Sequence, residues 1–193
     1  MAEPTAGVLK ALAQSGLLLN QHTSSPNVVT LVTGEILRTS WWSHPEGRLI
    51  YAVLSDLSEH PDVLFTKLLY RKITLVHRDL WPALLSVASG NEAWQLLGLS
   101  AAARDLWTKV NKSTVPILAA GRTVKEIEFR LLARTVEVHT ESGRHQIALE
   151  PWSVWGRRVA VKRLRSSELG RREIETAVSA LGIPSSALPW AAT

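Results

Sequence analysis

Residues 135–149, TVEVHTESGRHQIAL, alternate apolar and polar side chains on both sides of Ser142-Gly143 and read as an antiparallel hairpin. With Ser142-Gly143 as a two-residue turn, Glu141 faces Arg144, Val138 faces Ile147 and Val136 faces Leu149, so one face comes out apolar. Upstream, helical periodicity replaces the alternation. Residues 91–98 predict a short helix capped by Asn91 and ended by Gly98. Ser100 then caps a helix in which Ala103, Leu106, Trp107 and Val110 recur at i, i+3, i+4 and i+7. Helices feeding a hairpin place the chain in the α+β class, helix-rich with a small antiparallel sheet.

The flanks carry further elements. Residues 5–19 predict an apolar helix, and the β-branched run Val28-Val29-Thr30-Leu31-Val32, ended by Gly34, predicts a strand. Leu49, Ile50, Val53, Leu54 and Leu57 share a helical face, with Ser43 and Glu46 spaced as a capping box and His60-Pro61 marking the end. Residues 63–69 and 72–76 read as strands joined tightly at Tyr70-Arg71. Asp79 and Gly90 bound a further helix, and Thr123 and Glu126 suggest a capped helix before the hairpin. A last helix, capped by Ser167, bears Ile174, Ala177, Val178 and Leu181 and closes at Gly182. No repeat and no linker appears, so residues 1–193 read as a single compact domain.

Composition narrows the function classes. The absence of cysteine excludes disulfides, thiolate metal sites and cysteine nucleophiles, and suits a reducing, cytoplasmic setting. The opening residues, Met1-Ala2-Glu3-Pro4, lack the basic start and apolar core of a secretory signal, and no apolar run reaches the roughly 20 residues that span a bilayer, so no membrane association is expected. The net charge of +5 is uneven: residues 1–120 hold ten Lys/Arg against nine Asp/Glu, residues 121–193 twelve against eight. No cofactor or metal motif is present.

Three constellations carry candidate chemistry. In the first, the helix pair of 91–112 with the later hairpin makes a winged-helix-like portion over approximately 91–149. Its second helix would offer Arg104, Thr108, Lys109 and Lys112 to a groove, with Arg144 and His145 near the hairpin tip; Asp105 and Glu141 weaken that footprint. In the second, Trp152 and Trp155 precede Arg157, Arg158, Lys162, Arg163 and Arg165. There the indoles would stack on unpaired bases while the cations neutralise phosphates, the alternative being core indoles and hydrated arginines. In the third, Trp41, Trp42, His44 and His77, with His60, Asp62 and Asp79 nearby, would line a general acid/base pocket. The His44–Glu46 spacing of i to i+2 does not put two ligands on one helix face. Trp81, Trp94 and Trp107 fall on successive predicted helices and read as core.

The blocks SWWSHPEG, KITLVHRDLWPALLSV and EAWQLLGLS resemble those of a small, uncharacterised bacterial protein family, which implies no activity. Residues 91–149 also resemble winged-helix DNA-binding domains, which implies a DNA or RNA partner. The expectation is therefore a nucleic-acid-associated protein that binds phosphates through its C-terminal basic region. The alternatives are an enzyme acting on a small molecule or flipped base, and a protein-interaction module.

Overall fold

The computed structural model describes residues 3–139, 145–163 and 166–192. The fold is α+β, with helices predominating over two three-stranded antiparallel sheets among the described residues. The chain divides into two compact units, Met1–Trp81 with Glu173–Leu188 and Pro82–Arg172 with Pro189–Thr193. One boundary follows the first residue of helix α4 (Trp81–Ala88), a second lies inside helix α9 (Ser167–Ala180) and a third falls between Leu188 and Pro189, so no long Pro- or Gly-rich linker advertises the division.

The first unit begins with α1 (Glu3–Ser15). The predicted 5–19 helix stops early because Gly16, at φ 74°, turns the chain and donates its N–H to the Leu12 carbonyl at 2.7 Å. Leu17–Leu19 then form strand β1, and all three are buried, so the leucine run needs no polar side. The strand expected at 28–32 is instead helix α2 (Val28–Thr33). Asn27 Oδ1 accepts the Thr30 N–H at 2.9 Å, and Gly34, at φ 77°, donates to the Thr30 carbonyl. A good N-cap contributes about 1 kcal/mol, comparable to the whole spread of strand propensities, and here both ends of the segment are capped. Helix α3 (Gly47–Ser58) follows as predicted, without the expected capping box: Ser43 lies in a one-turn 3-10 segment, Trp41–Ser43, and donates to the Ser40 carbonyl, while Glu46 makes no side-chain cap.

Strands β2 (Val63–Lys67) and β3 (Ile73–His77) pair antiparallel, Phe65 opposite Leu75, and β1 joins the other side of β3, giving the order β1-β3-β2. The predicted tight connection is present, with Tyr70 and Arg71 at φ 53° and 57°. Val8, Leu12, Leu18, Val53, Leu57 and Leu75 belong to one core cluster joining the helices to this sheet. Each such side chain stabilises by about 1.5–3 kcal/mol on full burial.

The second unit contains α5 (Ala93–Leu96), α6 (Ala101–Asn111), β4 (Ile117–Leu118), α7 (Arg122–Phe129), β5 (Ala133–His139), β6 (His145–Pro151) and α8 (Trp152–Arg158), with sheet order β4-β6-β5. Helix α5 is capped by a reciprocal Glu92/Gln95 box instead of by Asn91. The Ser100 cap on α6 forms as predicted, at 3.2 Å to Ala103 N. Helix α7 forms as well, but Glu126 does not close a box with Thr123; its carboxylate accepts the backbone N–H and hydroxyl of Ser100, at 2.6 and 2.8 Å. The hairpin exists one residue out of the expected register: Thr135, not Val136, faces Leu149, and Glu137 faces Ile147. Its base sets this register, where buried Ala133, Ala148 and Leu149 flank the facing, ion-paired Arg134 and Glu150. The Ser142-Gly143 turn and the Glu141–Arg144 pair lie outside the described residues.

Candidate nucleic-acid interface

The cations singled out in the second unit meet different fates. Arg104, Thr108 and Lys109 are exposed on α6 beside Asp105, as expected, and Lys112 is exposed at its C-cap, with the Thr108 hydroxyl donating to the Arg104 carbonyl. Yet α5 is a single turn, and β4 and α7 stand between α6 and the hairpin, so α6 is not the helix that enters the hairpin. His145 opens β6 opposite His139, and Arg144 lies outside the described residues. Of the C-terminal run, Arg158 binds Glu150 at 2.8 Å, Arg171 binds Glu92 at 2.9 Å and Arg172 binds Glu168. Arg157, Lys162 and Arg163 are exposed, and Arg165 is not among the described residues.

Trp152 and Trp155 are each 2% exposed, and their rings meet edge to face at 5.5 Å. Base stacking by this pair is therefore corrected to a core role. Arg134 lies 5.9 Å from the Trp155 ring and 3.2 Å from Glu150, whose side chain is 4% exposed. Burial holds the Arg134 guanidinium below its ordinary pKa, with Glu150 opposing the shift and Arg158 adding to it. Part of the C-terminal charge excess thus neutralises one internal carboxylate.

The histidines of the first unit share one local geometry. The Nδ1 atoms of His22, His44, His60 and His77 accept the backbone N–H two residues ahead, from Ser24, Glu46, Asp62 and Asp79, at 3.2–3.4 Å. Each imidazole imitates an Asx-turn acceptor. The His44 Nε2 is 2.8 Å from Glu35 Oε1, so with Nδ1 accepting, Nε2 carries the proton and donates to Glu35. His77 Nδ1 is 3.1 Å from Asp79 Oδ2. Trp41 is 7% exposed. Of the acid/base pocket expected from Trp41, Trp42, His44 and His77, Trp42 and His44 line one depression whose described lining includes neither His77 nor the buried Trp41. Among the described residues no group of three or more His, Asp or Glu is placed to hold a metal.

A basic depression does form elsewhere in the first unit. Thr74, fully buried at the root of the β2–β3 tip, accepts the Leu69 N–H at 3.0 Å and donates to the Lys72 carbonyl at 3.1 Å. This fixes the left-handed Tyr70-Arg71 pair between Lys67 and Lys72. Gln21 Nε2 donates to the Thr39 and Leu37 carbonyls at 2.6 and 3.3 Å, holding the segment that carries Arg38 beside the end of β1. Arg38, Lys67 and Lys72 line one open depression of about 490 Å³ with His22, Gln21 and Asn20, and its described lining contains no carboxylate. His22 stacks on Tyr70 at 4.7 Å; partial burial first, then the Lys72 charge, hold its imidazole below the ordinary value of 6.5.

No protein-family model matches the chain, and neither a curated protein nor a solved structure matches it. No described helix is long and apolar enough to cross a membrane. Sequence reasoning passed over Arg38, Lys67 and Lys72 because residues 1–120 are almost neutral by count. The signal that could have found the two lysines was the pattern Lys67-Leu-Leu-Tyr-Arg-Lys72: two buried leucines inside a run otherwise basic or aromatic describe a hairpin tip that anchors itself while presenting cations.

Proposed function

We propose that the first unit binds nucleic acid as a winged-helix module, with α3 as the helix that enters a groove and the β2–β3 hairpin as the wing. Supporting this are the order helix, strand, helix, helix, hairpin and a sheet in which the first strand lies against the third. Arg48, Tyr51 and Ser55, at i, i+3 and i+7, are exposed along one face of α3. Asp56 and Glu59 restrict the usable cationic stretch to the helix's first half. The single observation that carries the reading is the convergence of Arg38, Lys67 and Lys72 on one depression beside a rigid hairpin tip. Phosphate contacts of this kind position a protein on a duplex and supply most of its salt-dependent affinity. Arg157, Lys162 and Arg163 remain from the C-terminal run as auxiliary phosphate contacts.

The test is fluorescence anisotropy of labelled duplex DNA and RNA against salt concentration. Affinity is expected to fall steeply with salt, and the double reversal K67E/K72E to weaken low-salt binding by at least about tenfold, with the log–log salt slope reduced by about 0.9 for each phosphate no longer neutralised. A triple reversal at Arg157, Lys162 and Arg163 has the smaller effect. Absence of binding at low salt, or binding that ignores K67E/K72E, overturns the proposal.

A further inference from the structure

The one indole that stands open to solvent among the described tryptophans sits at the entrance to α3. Trp42 is 69% exposed, whereas its neighbour Trp41 is 7% exposed and clusters with Val29 and Ile50. The two rings stack at 4.1 Å and 23°, so a buried indole backs the exposed one and fixes its plane. Gly47 permits this: a Cβ there would lie 3.1 Å from the Trp41 carbonyl and 3.4 Å from that of Trp42. Tyr51, 57% exposed, stands 6.0 Å from Trp42 at 41°, and His44 is pinned by Glu35 and the Glu46 N–H. Trp42, His44, Pro45, Arg48 and Tyr51 line an open depression of about 470 Å³.

Such a platform is costly to leave in water, and a large rigid aromatic surface beside a cation has a restricted set of partners. A quaternary or lysine-type cation would meet Arg48 in the same depression. A flat aromatic ligand with a negative charge attached suits both features: the ring stacks on the outer face of Trp42 with Tyr51 at its edge, and the charge meets Arg48. That description is a nucleotide whose base is not paired.

We propose that the Trp42–Tyr51–Arg48 depression receives one unpaired base of a nucleic acid. The site rests on the nucleic-acid reading of the first unit and specifies its ligand as a strand end, overhang or extruded base next to duplex. A fully paired duplex has no base available to stack there, so Trp42 contributes to binding only when an unpaired base is present.

The experiment compares a blunt duplex with the same duplex carrying a short 3′ or 5′ single-stranded overhang that includes 2-aminopurine. Wild-type protein should bind the overhang substrate more tightly and quench the 2-aminopurine emission. W42A should abolish the quenching and weaken overhang binding by about tenfold, a typical stacking contribution, while blunt-duplex affinity stays within about twofold and W42F recovers part of the loss. Because the Trp42 ring is exposed, the thermal midpoint of W42A should match wild type, which separates ligand loss from unfolding. If W42A binds and quenches as wild type does while K67E/K72E still weakens duplex binding, the base site is overturned and the winged-helix reading stands. If W42A weakens both substrates equally, the depression is a general contact and the base site is likewise overturned. If no substrate binds, both readings are overturned.

Discussion

The two units repeat one strand order with different charge placement. Each contains a helix, a strand, an intervening helical segment and a hairpin whose second strand sits centrally: α1, β1, α2–α3, β2–β3 in the first and, after α4 and α5, α6, β4, α7, β5–β6 in the second. In the first unit Arg38, Lys67, Lys72 and Arg48 line open depressions. In the second, part of the charge is spent on the architecture, Glu150 holding Arg134 and Arg158, Arg130 donating to the Trp94 and Leu97 carbonyls at the end of α5, and Glu92 binding Arg171, Ser167 and the Trp94 indole, while Arg104, Lys109, Lys112, Arg157, Lys162 and Arg163 are exposed. The difference between the units thus lies in where the cations are placed: three of the first unit's line one depression, whereas the second unit's are divided between internal carboxylates or carbonyls and an exposed surface. Net charge is a statement about solubility and long-range attraction; what a cation can recognise depends on whether a carboxylate of its own fold has already claimed it.

That contrast is broken most forcefully at Glu150. Removing it as E150A leaves Arg134 buried and uncompensated, and breaking a buried pair from one side costs about 3–5 kcal/mol. Urea denaturation followed by tryptophan emission should register a loss of that size, because Trp152 and Trp155 lie in the same unit. The matched change in the first unit, D62A, removes the more exposed Arg78–Asp62 pair at 2.7 Å and should cost no more than about 1 kcal/mol. Equal losses at the two sites would mean that Glu150 and Arg134 do not form an internal pair after all.

A smaller and more local effect is expected at the β2–β3 tip. T74V keeps the volume of Thr74 while removing the hydroxyl that serves both Leu69 N and the Lys72 carbonyl, and leaving buried partners unpaired costs about 1–3 kcal/mol. The tip should loosen, so protection of the Leu69 and Lys72 amides from hydrogen exchange should fall, and duplex affinity with it. Unchanged affinity alongside the loosened amides would show that phosphate binding does not require a rigid hairpin tip.

Helix periodicity was legible wherever one face met a core: Leu49, Ile50, Val53 and Leu57 specify α3, and Ala103 and Val110 specify α6, without further information. Caps were less so, because Ser43 and Glu126 had competing partners, the Ser40 carbonyl and Ser100, that only the fold brings near. The residues 28–32 were misread because β-branching is visible in the sequence, whereas the Asn27 and Gly34 caps act through conformation. The hairpin register went astray for a related reason: local apolar matching favoured Val136 opposite Leu149, while the Arg134–Glu150 pair and the buried base chose otherwise. The site was the least legible part. Arg38 and Lys72 are 34 residues apart in sequence, and no spacing rule joins a loop after α2 to a hairpin tip.

The gentlest probe of the same contrast is proton concentration. His22 sits among Arg38, Lys67 and Lys72, and folding lowers its pKa through partial burial and the Lys72 charge. Since the folded protein disfavours the imidazolium, this histidine's contribution to stability is complete above its ordinary value of 6.5 and is lost as pH falls through the lower folded value. Denaturation midpoints measured from about pH 7.5 down to about pH 5 should decline less steeply in H22Q than in wild type. A bound phosphate reverses the sign, because it favours the imidazolium. Duplex binding by wild type should therefore take up protons and tighten over the interval in which the free protein weakens, and H22Q should show neither effect. Affinity with the same pH dependence in both proteins would place the phosphate away from the β2–β3 tip and return the second unit's exposed Arg157, Lys162 and Arg163 to first consideration.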